Sequence, residues 1–289
     1  IRHDVESRGL GDVYKRQDVE RRQVEVQTVE YEMKDENLGY VSVSQFEEAT
    51  TQQFTQAIED LESQGMEGLI IDLRGNPGGV LDTAVDMLDY MLPDDLTEYS
   101  GNGKTLLVST ADRNGEGDSY YCDDGHSLDI PVVILVDGNS ASASEVFSGA
   151  MKDYGRAALV GTTTFGKGIV QTVFSLNDGS AIKLTTAHYY SPSGFDLHGI
   201  GIQPDVEIAY QVPEIAEASN GTDPSGSAEA SDSAEDSGDT DDNQLVKAKE
   251  VLQEMIGENS DGADSGSGEE TSPNEVRNEN VDDGAKNAA

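Results

Sequence analysis

Gly138-Asn139-Ser140-Ala141-Ser142-Ala143-Ser144-Glu145 lies between an apolar run, Pro131 to Val136, and a helical pattern, Val146 to Tyr154. A buried strand that turns sharply into a helix presents a small hydroxyl at the helix N-terminus. Backbone N–H groups are unpaired there and the helix dipole favours negative charge. Such a place suits an attacking serine and its oxyanion. Further along comes Thr164-Phe165-Gly166-Lys167-Gly168-Ile169-Val170-Gln171. A lysine between two glycines can serve as the base that such a serine needs.

Outward from these two segments the chain alternates strands and helices. Leu38 to Val43 reads as a strand, and Glu47 to Gln64 as a helix with Phe54, Ala57, Ile58 and Leu61 at helical spacing and Gly65 as its stop. Gly68 to Leu73 is a short apolar strand. The loop Gly75 to Gly79 follows, then a helix from Val80 to Leu92 closed by Pro93. Residues 101–129 contain a strand at Thr105 to Ser109 and a long loop. Ala157 to Val160, Ile169 to Leu176 and Ala181 to Tyr190 read as strands, the last two joined into a hairpin by Asn177-Asp178-Gly179. This alternation argues an α/β fold. Val24 to Val29 alternates as a half-buried strand.

The 289 residues carry a net charge of −39, which argues against binding nucleic acid or an anionic membrane surface. There is no apolar run of about 18 residues to cross a membrane, and the charged opening Ile1 to Glu6 has no signal-peptide core. Residues 1–17 read as a non-native, adapter-derived segment and are set aside. From Glu214 onward, 21 acidic residues stand against 4 basic ones, a composition that predicts a disordered tail over 213–289. Within it, Asn243 to Ile256 carries a helical apolar stripe suited to docking. Cys122, the one cysteine, lies in a polar stretch and reads as a surface thiol.

Two further segments are Asp72-Leu73-Arg74-Gly75-Asn76-Pro77-Gly78-Gly79 and His198-Gly199-Ile200-Gly201-Ile202-Gln203-Pro204-Asp205. With the serine and lysine segments, in this order and spacing, they resemble the carboxyl-terminal processing proteases, tail-specific serine peptidases with a Ser/Lys dyad. The likeness covers roughly residues 26–210. It implies a ClpP/crotonase-like peptidase core over 36–212 and a remnant or exit strand of a missing PDZ domain over 18–35. It also implies serine endopeptidase activity on polypeptides with accessible C-termini, action outside the cytoplasm through an anchor in a missing N-terminal part, and no metal or organic cofactor. The competing expectation is a catalytically inactive peptide-binding scaffold of the same fold.

The resemblance places the nucleophile at Ser142, the position before Ala143, with Ser140 and Ser144 as rivals. Ser142-x-x-Glu145 is also a helix capping box, the purely structural reading. Lys167 is the expected general base and must be neutral to accept a proton; otherwise it is a surface lysine in a glycine loop. Gly161 to Gly168 is one residue from a phosphate-binding loop, but Gly168 stands where a Ser or Thr must hold Mg²⁺, and a β-like run follows. Gln171 completes the family's Ser/Lys/Gln arrangement. On a regular strand it would lie about 13 Å from residue 167, so the glycines must bend the chain or long side chains must meet. The oxyanion hole is expected from the backbone N–H groups of Ala143 and of Gly79 or Gly78. His188 and His198 are the alternative bases of a Ser-His-Asp triad. Zinc-ligand spacing is lacking, and Gly199-Ile200-Gly201 lacks the third glycine of a dinucleotide motif.

Overall fold

The computed structural model of the chain describes residues 26–34, 37–100, 102–123, 125–212 and 242–263. The segment 1–17 and most of the acidic stretch beyond 212 lie outside the described residues.

Three elements open the fold: the strands β1 (Val29–Lys34) and β2 (Leu38–Val43) and the helix α1 (Thr50–Ser63). Then come β3 (Gly68–Asp72), α2 (Leu81–Met91), β4 (Leu106–Ala111), β5 (Ser119–Tyr121), β6 (Val132–Val136) and α3 (Ala143–Asp153). β7 (Ala158–Gly161), the hairpin β8 (Ile169–Ser175) and β9 (Ala181–Tyr190), β10 (Val206–Glu207) and α4 (Asn243–Ala263) complete it. One sheet has the order β1-β2-β3-β6-β7-β10, parallel from β2 onward with β1 antiparallel at its edge; the other has the order β5-β4-β9-β8 and is antiparallel.

Every residue of β3 and β6 is buried, which explains their unbroken apolar runs, since a central parallel strand is covered on both faces. Alternation decides which side each residue takes. Leu69, Ile71, Val132, Ile134 and Val136 pack with Phe54, Ile58, Met87, Leu88 and Phe147 of α1, α2 and α3. Ile70, Val133 and Leu135 pack with Leu245, Ala248 and Leu252 of α4. The apolar stripe expected at Asn243 to Ile256 is therefore a docked helix. Its N-terminus is fixed by Arg74, whose guanidinium reaches Asp242 at 2.8 Å and Gln244 at 3.1 Å while pairing with Asp72 at 2.6 Å.

Two readings need correction. The strand expected at Val24 to Val29 begins instead at Val29, and it pairs residue by residue with β2 as part of the core sheet. Thr28 starts this path, its hydroxyl hydrogen-bonded to that of Thr50 at 2.7 Å. Cys122 is fully buried rather than on the surface. Its N–H donates to Thr105 O and its thiol to Leu92 O. The polar residues around it form the short strand β5, which turns Cys122 inward beneath α2. β5 and β10 escaped the sequence reading because three and two residues carry no readable period.

Candidate active site

The β6–α3 turn brings three serines together, and their surroundings separate them. Ser140 Oγ donates to Leu73 O at 2.8 Å, and Ser144 Oγ donates to Asn76 O at 3.0 Å; both residues are fully buried. These hydroxyls hold the Leu73 to Asn76 loop against the turn. Ser142 alone keeps some exposure, 8%. Its backbone has φ 56° and ψ −113°, a conformation that costs a side-chain-bearing residue about 1–3 kcal/mol and clusters at functional sites. Ser142 also forms, with Glu145, the capping box that opens α3, so the structural reading of this serine is met as well.

Gly78 packs against this elbow. A Cβ there would stand 2.6 Å from Ala141 O and 2.8 Å from both Ala143 N and Ser142 Cβ, so only glycine fits. The Gly78 N–H donates to Asn76 Oδ1 at 2.8 Å, and its carbonyl accepts from Phe46 N. Asn76, fully buried, also donates from Nδ2 to Val43 O at 2.7 Å. Of the two glycine candidates, Gly78 thus has its N–H engaged. Among the described residues no hydrogen bond engages the N–H of Gly79 or of Ala143, which opens α3.

Glu145 joins the serine elbow to the lysine loop. Its side chain is fully buried and accepts four hydrogen bonds. Oε2 accepts from the N–H of Ser142 at 2.9 Å and of Lys167 at 2.8 Å. Oε1 accepts from the Thr164 hydroxyl at 2.6 Å and the Gly166 N–H at 2.7 Å. The capping residue thus does more than cap, because one oxygen holds the backbone of both dyad candidates. Thr164 Oγ1 in turn accepts the Ile202 N–H at 2.7 Å, and Gly199 donates to Gly166 O at 2.8 Å. That is how the His198 to Asp205 segment enters the site: it braces the lysine loop from behind.

The side chain of Lys167 lines an open cavity of about 470 Å³ with Gly75, Pro77, Asn139, Ala141 and Phe165. Among the described residues no hydrogen bond joins its amine to Ser142 Oγ or to Gln171. Gln171 is exposed on β8, just past a bulge at Val170/Gln171 that breaks the strand's alternation. His188 and His198 sit behind the lysine loop, their rings 5.0 Å apart. His188 Nδ1 lies 3.1 Å from Asp196 Oδ2, so this histidine faces away into its own cluster.

Asp137, at the end of β6, shapes the floor. Burial pushes its carboxyl up, but hydrogen bonds from the N–H groups of Gly75 and Asn139 and from the Asn139 and Ser140 side chains outweigh this and hold it below the usual carboxylate range. The sequence reading quoted Asn76, Glu145 and Thr164 inside motifs but gave the first and third no role, and it passed over Asp137 and Tyr189. Tyr189 is buried, and its backbone N–H donates to Gly168 O at 3.0 Å, next to Lys167. Nothing in local sequence marks a strand tyrosine as a backbone brace for a glycine 21 positions earlier.

An α/β core carrying a strained serine at a strand-to-helix elbow, with a lysine loop clamped beside it, has the frame of a peptidase. The profile of peptidase family S41 matches residues 37–208, and the chain belongs to that family. It is 37% identical over 188 residues to a carboxyl-terminal-processing protease of Synechocystis sp., covering 65% of this chain and 42% of that protein. It is 36% identical over 193 residues to the carboxy-terminal processing protease CtpB of Bacillus subtilis, covering 66% and 38%. Among solved structures it is similar to a photosystem II D1 C-terminal processing protease, with a TM-score of 0.57 and 35% identity over 65% of this chain and 50% of that one. The chain thus spans about two-fifths of the length of these curated relatives.

Proposed function

We propose that this chain is a serine endopeptidase that cleaves polypeptides near their C-terminal tails through an acyl-enzyme on Ser142. The observation that carries this reading is the backbone at Ser142, a strained elbow beside two N–H groups, of Gly79 and Ala143, that no other described residue engages. In this reading Ser142 Oγ attacks the scissile carbonyl carbon while Lys167 Nζ takes the hydroxyl proton. The oxyanion is held by the N–H groups of Gly79 and Ala143. Lys167 then gives the proton to the leaving amine. Water, deprotonated by Lys167, attacks the ester, and Ser142 recovers its proton. The peptide enters along the cavity between Pro77 and Phe165. Gln171 orients the lysine amine once the two long side chains turn toward one another.

The peptidase domain, expected over 36–212, in this reading also takes in β1 and α4, which pair with and pack on its sheet, and the chain before β1 leads in from a PDZ domain. Tail preference and action outside the cytoplasm rest on the resemblance to carboxyl-terminal processing proteases; no helix among the described residues is long and apolar enough to cross a membrane. The test is labelling by a fluorophosphonate probe together with hydrolysis of an unfolded polypeptide. Ser142→Ala is expected to abolish labelling. Ser142→Ala and Lys167→Ala are each expected to lower turnover by several orders of magnitude, and the double variant is expected to be little worse, because the pair acts as a unit. Absence of labelling in the parent would favour the scaffold reading.

A further inference from the structure

Arg74 stands two residues past the end of β3, at the start of the loop that carries Gly79. Asp72 accepts the Arg74 N–H at 2.9 Å, and it accepts from the guanidinium through Nε at 3.0 Å and Nη2 at 2.6 Å. One carboxylate is enough to neutralise a guanidinium. Nη1 nevertheless reaches a second, Asp242, at 2.8 Å, and Gln244 Oε1 at 3.1 Å. Asp242 Oδ1 also accepts the N–H groups of Gln244 at 3.0 Å and Leu245 at 3.1 Å, so the same carboxylate caps α4. Capping this helix and holding the loop are therefore one event. From the α3 side the loop is gripped by the Ser140 and Ser144 hydroxyls. Arg74 grips it from the opposite face, where α4 packs. Its far end is tied to Phe46, which donates to Gly78 O and accepts from the Val80 N–H.

We infer that Arg74 is a positioning residue for the Gly79 N–H, and that α4 sets it through Asp242 and Gln244. This rests on Gly79 and Ser142 acting as proposed above. An oxyanion donor works only when it stands about 2.7–3.1 Å from the charge that develops. A loop freed at Arg74 lets its donor drift from that place, while the cavity that takes the peptide stays lined. Arginine suits this post because its planar fork serves two carboxylates at once, which a lysine amine cannot do in the same geometry. The helix that follows the last strand of the core thus governs the rate of the chemistry more than the binding of the chain to be cut.

Asp242→Asn separates the two duties. Asparagine caps a helix as well as aspartate does, but its amide nitrogen would face the Arg74 guanidinium. The rate of Ser142 acylation by a fluorophosphonate and kcat on an unfolded polypeptide, measured well below the thermal midpoint, are each expected to fall about tenfold. That is part of the 100-fold or more that loss of one oxyanion donor costs. KM and the midpoint should stay near the parent's. Arg74→Lys should show the same fall in rate. Lys247→Ala, which breaks an exposed ion pair with Glu250 on the same helix, should acylate at the parent rate. Parent-rate acylation of Asp242→Asn and Gln244→Ala, with Ser142→Ala unlabelled, would overturn this inference and leave the proposed function standing. An equal slowing in Lys247→Ala, or a slowing confined to temperatures near the midpoint, would overturn it too. A parent that fails to label would overturn both.

Discussion

Glu145→Gln probes the clamp between the serine elbow and the lysine loop. The amide nitrogen must replace one carboxylate oxygen, and the two choices differ. At the Oε2 place it would face the N–H groups of Ser142 and Lys167, neither of which can turn. At the Oε1 place it would face the Thr164 hydroxyl, which can rotate to accept, and the Gly166 N–H, which cannot. The second orientation is the cheaper one. It loses one hydrogen bond to a charged acceptor and leaves the Gly166 N–H opposed by a donor, together about 2–4 kcal/mol. For a domain of this size, about 2–4 °C in midpoint accompanies each kcal/mol, so scanning calorimetry should show a fall of roughly 5–15 °C. Because Ser142 and Lys167 keep their shared oxygen in that orientation, Ser142 should still acylate well below the midpoint. Glu145→Ala removes both oxygens and should acylate at least 100-fold more slowly under the same conditions, the scale of a misplaced catalytic group. A midpoint unmoved by Glu145→Gln, or Glu145→Ala acylating at the parent rate, would refute the clamp.

Gly78→Ala should fold weakly and acylate roughly 100-fold more slowly, because its φ of +94° and a Cβ 2.8 Å from Ala143 N push the elbow off its donors; labelling kinetics check it. Asp137 has a folded value below its ordinary 3.8, so its stabilisation is complete above that value and is lost as pH falls through the lower one. Urea melts between about pH 5 and 2 should therefore show a steeper acid loss in the parent than in Asp137→Asn. Leu252, fully buried against β3 and β6, should lose about 2–5 kcal/mol as Leu252→Ala, read from the denaturant midpoint. Truncation before Asp242 should be destabilising for the same reason, whereas removal of residues beyond 263 should leave the midpoint within a few degrees.

β2, β3, β6 and β7 were legible as short apolar runs, and α1 and α2 because each presents one apolar face. β2 and β3 fall within one residue of their expected bounds, and α4 was found from its stripe despite the acidic surroundings. What the chain hid is long-range. Glu145 reads as a cap because its bond to Ser142 is local, while its bonds to Thr164, Gly166 and Lys167 span 19 to 22 residues. Cys122 reads as exposed because burial depends on β4 and α2, not on its polar neighbours. The spacing of Lys167 and Gln171 suggests one strand face, but the bulge at Val170/Gln171 breaks that periodicity.

The clamp at Glu145 also bears on how the protein is made. A ribosome releases the serine elbow before the residues that the clamp requires, and the Thr164 hydroxyl finds its second partner only at Ile202. Until residues 164–167 are made, Glu145 has a local partner in Ser142 and none from the lysine loop. A nascent chain halted near residue 160 would carry its hydroxyl without its amine, and one halted near 190 would have the amine on an unbraced loop. If Ser142 and Lys167 act as proposed, competence to cut should therefore arrive late in synthesis, after the serine elbow and the strands before it have been made.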